Sequence, residues 1–461
     1  MSTPQHRRRP RRNPADDRRQ APPSQRDNRP AKAKPAPHIV DVDDTNGFVK
    51  CGVPKRIAGV LAATGVTDPF SIQTVTLPDS LAGRDVLGQG RTGSGKTIAF
   101  ALPLVARLAA DAKQPRTGRP RGLVLVPTRE LATQVAGVID PLARSMGLRV
   151  MTVFGGVGFG PQRDGLSRGT EIVVACPGRL VDLMGEGDAR LDSIEVTVID
   201  EADHMADQGF LPMVTRILDA TPKKGQRMLF SATLAGGVDT IVDKYLHNPV
   251  SHAAEVEAPV LLDHHVMVID DADRLAAVAE LAKNERAVIF TRTKWRAKQM
   301  AVKLKQYGIT AVDMHGNLSQ TVREKNLAAF ADGTASAMVA TDIAARGIHV
   351  DEVPLVIHAD PPVEHKAYLH RSGRTARAGA AGRVVTVTSL AQVGEVRDLL
   401  RKAGVTTAQW EGIEVPESVR NMPDRGRSQA AKTRSGTPGK GRRAQQREQR
   451  GRSSSGGQHR R

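Results

Sequence analysis

The clearest chemical signal in the chain is the octapeptide GRTGSGKT, Gly90 to Thr97, which fits G-x-x-x-x-G-K-[ST]. Gly90, Gly93 and Gly95, with Arg91, Thr92 and Ser94 between them, let backbone N–H groups approach phosphate oxygens. Lys96 reaches the β- and γ-phosphates, and the Thr97 hydroxyl can ligate Mg²⁺. A phosphate-bound Mg²⁺ also needs a carboxylate at the end of a neighbouring strand. VTVIDEADHM (196–205) offers Asp200 at that position. Glu201 follows it, placed to orient or deprotonate an attacking water. Thr97, Asp200 and Glu201 are thus the expected metal end of a nucleotide site.

A second stretch, VMVIDDADRL (266–275), repeats the pattern of β-branched residues ending in carboxylates. It has no phosphate loop upstream. Its expected role is structural: a strand, then Asp271 or Asp273 starting the helix RLAAVAELAK as N-cap or first-turn acid.

Such residues need a scaffold that brings strand ends together. Short β-branched runs supply it: RDVLGQG, GLVLVPT, RVMTVFG, EIVVACP, VTVID and RMLFSAT, then HHVMVID, RAVIFTR, TAVDMHG, SAMVATD, PLVIHAD and RVVTVTS. Amphipathic helical stretches alternate with them, which predicts parallel α/β sheets. Twelve strands exceed one compact sheet, so two α/β domains are expected, 39–250 and 263–415, joined by a linker at 251–262.

Charge is distributed unevenly. Residues 1–38 hold eleven basic and three acidic side chains, and residues 416–461 hold thirteen and three. The body between them is neutral, so the net charge of +18 belongs to the two ends. Both ends are rich in Arg, Pro, Gly, Ser and Gln and too poor in apolar residues to form a core. They read as disordered basic arms that attract polyanions. Only Cys51 and Cys176 are present, which gives no disulfide framework and no zinc spacing. No apolar run reaches membrane-spanning length, and a cytoplasmic protein without a membrane role is expected.

Ordered motifs along residues 48–400 give the chain a resemblance to the DEAD-box family of ATP-dependent RNA helicases, of the bacterial type with a short core and basic arms. They are Phe48, GVTDPFSIQ ending at Gln73, GRTGSGKT, PTRELA (127–132), Gly155–Gly156, PGR (177–179), DEAD (200–203) and SAT (231–233) in the first half. VIFTRT (288–293), HGNLSQTVRE (315–324), ATDIAARG (340–347) and HRSGRTAR (370–377) follow in the second. The resemblance implies two RecA-like domains with a nucleotide cleft between them and basic tails outside. It implies ATP and Mg²⁺ as cofactors, with Phe48 stacking on adenine, Gln73 reading it, and Gly347 and His349 near the ribose. Lys96, Asp200, Glu201 and two arginine fingers, Arg374 and Arg377, would carry catalysis. Asp203, Ser231, Thr233 and His370 would couple the ATP site to domain closure. Arg129, Gly155, Gly156, Arg179, Arg292, Gly316, Arg323 and Thr341 would hold single-stranded RNA or a short duplex through its backbone. With aromatic residues at only 3% of the chain, base stacking is not expected to be the main grip.

The chain departs from the family pattern at four positions. Cys176 stands where the family has Thr, Asn317 and His349 where it has Asp, and Ala376 where it has Gly. A monomer is expected, acting on ribosomal precursors or with RNA-decay proteins. An RNA clamp without turnover and a DNA-directed helicase are the competing readings.

Overall fold

The computed structural model describes residues 35–90, 93–111, 113–234, 236–253, 262–345, 353–376, 381–405 and 408–412. Nearly all of both basic arms, most of the 251–262 linker, and Arg91, Thr92, Gly347, His349 and Arg377 lie outside them.

The chain divides into two compact units, each built on one sheet of seven parallel strands. The first sheet contains β1 (Val86–Gln89), β2 (Gly122–Leu125), β3 (Val150–Val153), β4 (Ile172–Ala175), β5 (Val196–Asp200), β6 (Gln226–Ser231) and β7 (Val250–Ala253). Their order is β3-β4-β2-β5-β6-β1-β7. The second sheet contains β8 (Leu262–Val268), β9 (Ala287–Phe290), β10 (Ala311–Met314), β11 (Ala337–Ala340), β12 (Leu355–His358), β13 (Gly382–Thr388) and β14 (Gln409–Gly412), ordered β10-β11-β9-β12-β13-β8-β14. Central strands such as GLVL of β2 and IVVA of β4 are buried along their whole length. This is why they read as continuous apolar runs rather than alternating ones. Beneath the first sheet Phe100 meets Phe230 with ring centroids 5.5 Å apart. A side chain on Gly88 would run into the Phe230 ring, so glycine is required at that point of β1.

Two strands were not expected. Val250–Ala253 falls largely in the anticipated linker, yet it pairs in parallel with β1 and extends the first sheet to residue 253. Gln409–Gly412 adds an edge to the second sheet beside β8. Both are short edge strands with alternating or exposed side chains, and so lack the apolar signal of the interior. Among the described residues no helix is long and apolar enough to cross a membrane.

The stretch VMVIDDADRL forms the end of β8, a turn, and the start of the helix Arg274–Ala282. Asp273 occupies the N-cap position, but its side chain makes no cap hydrogen bond. Asp271 instead accepts from Arg274 Nη2 at 2.5 Å. Arg274 is 4% exposed and donates to the carbonyls of Ala359 (2.7 Å) and Val387 (2.9 Å). The acid is the dispensable partner, because its own side chain is 74% exposed. Asp271→Asn is expected to cost less than about 1 kcal/mol. Arg274→Ala, which strands two buried carbonyls, should cost about 2–4 kcal/mol. Urea unfolding of the two variants measures the difference, and equal costs would contradict this account.

Candidate nucleotide and RNA sites

The motifs of the first unit sit at one edge of its sheet, where the parallel strands end. β1 leads into the phosphate loop, β2 into PTRELA, β3 into Gly155–Gly156, β4 into PGR, β5 into DEAD and β6 into SAT. Gly93 (φ 89°) and Gly95 (φ 86°) turn the phosphate loop through left-handed backbone. Gly90 N donates to Ser231 O at 3.1 Å, tying the loop to β6. Lys96 opens the helix Lys96–Ala110, with Thr97 half-buried next to it. The Lys96 ammonium is 7% exposed and donates to Gly90 O at 2.8 Å.

Asp200 ends β5 and is 3% exposed. Burial pushes its carboxyl up to about 7; nearby Lys96 opposes the rise, and the Glu201 and Asp203 carboxylates add to it. Such a group favours a cation. Among the described residues no cluster of three or more His, Cys, Asp or Glu is arranged to hold an ion alone. A divalent ion here would therefore bring phosphate oxygens and water as further ligands, in the manner of Mg²⁺. Asp200 and Thr97 fit that chemistry.

Glu201 takes left-handed backbone (φ 51°), rare for a residue with a side chain. Its carboxylate lies 3.0 Å from His204 Nδ1, and His204 Nε2 lies 2.8 Å from Gln208 Nε2. His204 thus orients the candidate water-activating carboxylate, a partner the sequence reading passed over. Asp203 meets the SAT motif in three bonds. Its backbone N–H donates to Ser231 Oγ (3.2 Å), and its Oδ2 accepts from Thr233 N (3.0 Å) and Thr233 Oγ1 (3.2 Å). His370 lies on the helix His365–Ser372 of the second unit.

The structure corrects the expected base contacts. Phe48 is fully buried in the core of the first unit, with no face of its ring exposed for stacking in this structure. Gln73 is 1% exposed and spends its amide within the protein. Oε1 accepts from Phe70 N at 2.9 Å, the return half of a capping box, and Nε2 donates to Gly95 O at 2.9 Å. A side chain on Gly95 would run into both Gln73 and the Phe70 ring. Phe70, 56% exposed, is therefore the aromatic beside the phosphate loop. Reading GVTDPFSIQ for its glutamine had hidden it.

On the neighbouring strand ends, the Arg129 guanidinium lies where a side chain on Gly156 (φ 83°) would project. Arg179 donates to Val157 O at 3.0 Å and stacks over the Phe159 ring at 3.9 Å. Arg129, Gly155, Gly156 and Arg179 thus converge on the loop after β3. Gly155 differs from Gly156, since a side chain there would meet nothing within 4 Å. Cys176, N-cap of the helix Pro177–Gly185, has its thiol pushed up to about 12, mainly by burial.

In the second unit, Arg292, Gly316 and Thr341 follow β9, β10 and β11 at the carboxyl edge of that sheet. Arg292 N donates to Asp360 Oδ2 at 2.9 Å, and Thr341 N to Met314 O at 3.1 Å. Arg323 lies on the helix Gln320–Ala331. Arg374 is 9% exposed, just beyond the helix that carries His370. Arg371 was overlooked. It is 3% exposed, makes a two-pronged contact with Asp342 (2.5 and 2.7 Å), and donates to Asp360 O (2.8 Å). Ala376 sits at φ 56°, so the alanine that replaces the family glycine holds strained backbone.

The raised Asp200 pKa has a stability consequence of definite sign. Folding draws a proton onto this carboxyl between its ordinary value of 3.8 and about 7, so stability falls as pH rises through that window. With divalent metal chelated, Asp200→Asn is expected to melt several degrees above the unaltered protein at pH 8. The gap should shrink toward pH 4–5. A gap independent of pH in thermal melts would remove burial of charge as the cause. At the loop after β3, Gly155→Ala should leave the melting temperature within about 1 °C, since the site is open. Gly156→Ala should lower it, because the backbone strain alone costs about 1–2 kcal/mol of stability.

Comparisons with known proteins agree in direction. Residues 70–241 match the DEAD/DEAH box helicase family, and residues 270–379 match the helicase conserved C-terminal domain. The chain is similar to DEAD-box ATP-dependent RNA helicase 9, mitochondrial, of Arabidopsis thaliana, with 35% identity over 80% of this chain and 62% of that protein. It is 37% identical to RNA helicase CrhR of Synechocystis over 72% of this chain and 67% of the relative. Among solved structures it resembles Saccharomyces cerevisiae Dbp5 bound to RNA and ADP BeF3, with TM-score 0.70 and 26% identity over 81% of this chain and 97% of that one. The chain spans less than two thirds of the Arabidopsis relative's length. Two sheets with the strand-end motifs of this family, matched in order along the sequence, place the chain in the DEAD-box helicase family, with two RecA-like domains.

Proposed function

We propose that the chain is an RNA-stimulated ATPase that remodels RNA or unwinds short duplexes locally. The observation that carries this reading is the first unit's sheet edge, where a phosphate loop after β1 and, one strand away across β6, a buried carboxylate (Asp200) and a His204-oriented carboxylate (Glu201) after β5 lie at the same strand ends. The glycines of the loop and Lys96 hold the polyphosphate, and Thr97 with Asp200 holds a Mg²⁺ ion. The ion, when bound, neutralises phosphate charge. Glu201, steadied by His204, orients and deprotonates the attacking water. The base-stacking role passes from Phe48 to Phe70, whose exposed ring rests against Gly95.

The reading keeps RNA as the polymer. Arg129 and Arg179 around an open glycine suit phosphate and sugar contacts that carry no sequence information. Relatives named as RNA helicases support the same choice. Expectation of a monomer in the cytoplasm rests on the sequence alone.

Glu201→Gln is expected to lower RNA-stimulated ATP turnover by at least 100-fold while RNA is still retained in the presence of ATP. Normal turnover in that variant would take Glu201 out of its role. RNA retention with no turnover in the unaltered protein would favour the clamp, and equal stimulation by DNA the DNA-directed helicase. Phe70→Ala should raise the KM for ATP about 5–10-fold with kcat nearly kept, as for loss of one stacking contact. An unchanged KM would return the base contact to some other residue.

A further inference from the structure

Residues 292–307 contain Arg292, Lys294, Arg296, Lys298, Lys303 and Lys305 and no acidic residue. They form the helix Lys294–Leu304, extended by one tighter turn, Lys305–Tyr307. One side of the helix is spoken for: Ala297, Met300, Ala301 and Leu304 are buried in the second unit's core. The opposite side carries Trp295, Lys298 and Val302 at positions i, i+3 and i+7. Trp295 is 70% exposed, the largest apolar side chain in the chain left facing water, and Tyr307 at the far end is 48% exposed.

The Trp295 end lies at the carboxyl edge of the second sheet. Arg292 and the capping residue Thr293, whose hydroxyl accepts from Arg296 N at 3.2 Å, connect it directly to β9. A side chain on Gly316 would meet Lys294 Cε at 3.8 Å, so the helix start borders the loop after β10. The nearby acid is already spent. Asp360, 5% exposed, accepts from Arg292 N (2.9 Å) and pairs with Arg296 Nη1 (3.0 Å). Lys298, Lys303 and Lys305, all exposed, set a positive field along the side of the helix that carries the exposed indole.

We infer that Trp295, with Lys298 and the lysines beyond it, forms a strip on the second unit that stacks a base and contacts phosphates of single-stranded RNA. This rests on the RNA reading above and adds base stacking to backbone contacts made by the motif residues. The face of an indole accepts any base, so the contact needs no sequence preference. Lysines along the same side contribute salt-dependent affinity. An anionic membrane fits less well: the helix is held by its buried side, and only Trp295 and Val302 on its outer face could enter an apolar layer.

The protein has two tryptophans, so Trp410→Phe leaves Trp295 as the sole indole in the full-length chain. That variant is titrated with a single-stranded 12-nucleotide RNA at low salt, while labelled-RNA anisotropy reports binding in parallel. Should the variant fold poorly, the emission difference between the unaltered protein and Trp295→Phe gives the same reading. Trp295 emission is expected to be quenched by the RNA and not by an abasic backbone of equal length. Trp295→Ala should weaken RNA binding about 10-fold and Trp295→Phe much less. Lys298→Glu with Lys305→Glu should flatten the dependence of affinity on salt. Binding by anisotropy with unchanged Trp295 emission overturns the inference and leaves the RNA reading intact. Absence of RNA binding by the unaltered protein overturns the RNA reading itself. Quenching by phosphatidylglycerol vesicles or an acidic peptide, with none by RNA, would assign the strip to another partner and also overturn the inference.

Discussion

Burying Asp200 sets the terms for the first unit. β5 lies between β2 and β6, so its last residue carries a carboxylate out of water at 3% exposure. Moving an ion there costs several kcal/mol unless opposite charge or hydrogen bonds offset it. The offset is partial, from Lys96 and the Glu201 N–H at 2.9 Å, and two further carboxylates work against it. Lys96 in turn is held by Gly90 O, and Gly90 N by Ser231 O. Strand, phosphate loop and SAT motif are therefore one electrostatic and hydrogen-bonded assembly around Asp200. An arrangement optimised for stability alone would place an apolar residue at the end of β5.

Strain follows the same pattern. Glu201 leaves the strand through left-handed backbone, which costs about 1–2 kcal/mol for a residue with a Cβ. That turn starts the helix Ala202–Asp207 at once and brings Asp203 round to Ser231 and Thr233. A relaxed turn would need more residues and would carry Asp203 away from β6. The four letters D-E-A-D thus encode a geometry as well as three carboxylates.

The sequence made the scaffold legible wherever burial was two-sided. GLVL, IVVA and VTVID announce interior strands because both faces are covered. Val250–Ala253 and Gln409–Gly412 stayed hidden because edge strands carry no such run. The two look-alike acidic stretches were separable by context, through the phosphate loop upstream of one. Their side-chain partners were not. Nothing in VMVIDDADRL says that Arg274 spans two carbonyls and that its acid is expendable, and nothing in DEADHM says that His204 holds Glu201. The aromatic assignment has a related limit. The resemblance points to Phe48, but exposure bears on which ring a nucleotide could touch, and the burial of Phe48 is set by packing in the core that the motif does not record.

The aromatic fraction also says little about any single ring. A value of 3% is an average, and a single exposed indole is chemically decisive only through its surroundings. Trp295 stands in a stretch without acids, on a helix whose opposite side is committed to the core, next to a sheet edge whose acid is already paired. Each fact is weak alone. A solvated lysine-rich helix needs no tryptophan, and a tryptophan placed for packing would not be 70% exposed. Exposing an indole forgoes about 2–3 kcal/mol of burial, and stacking on a base, at about 1–3 kcal/mol, is an interaction of the size that would offset it.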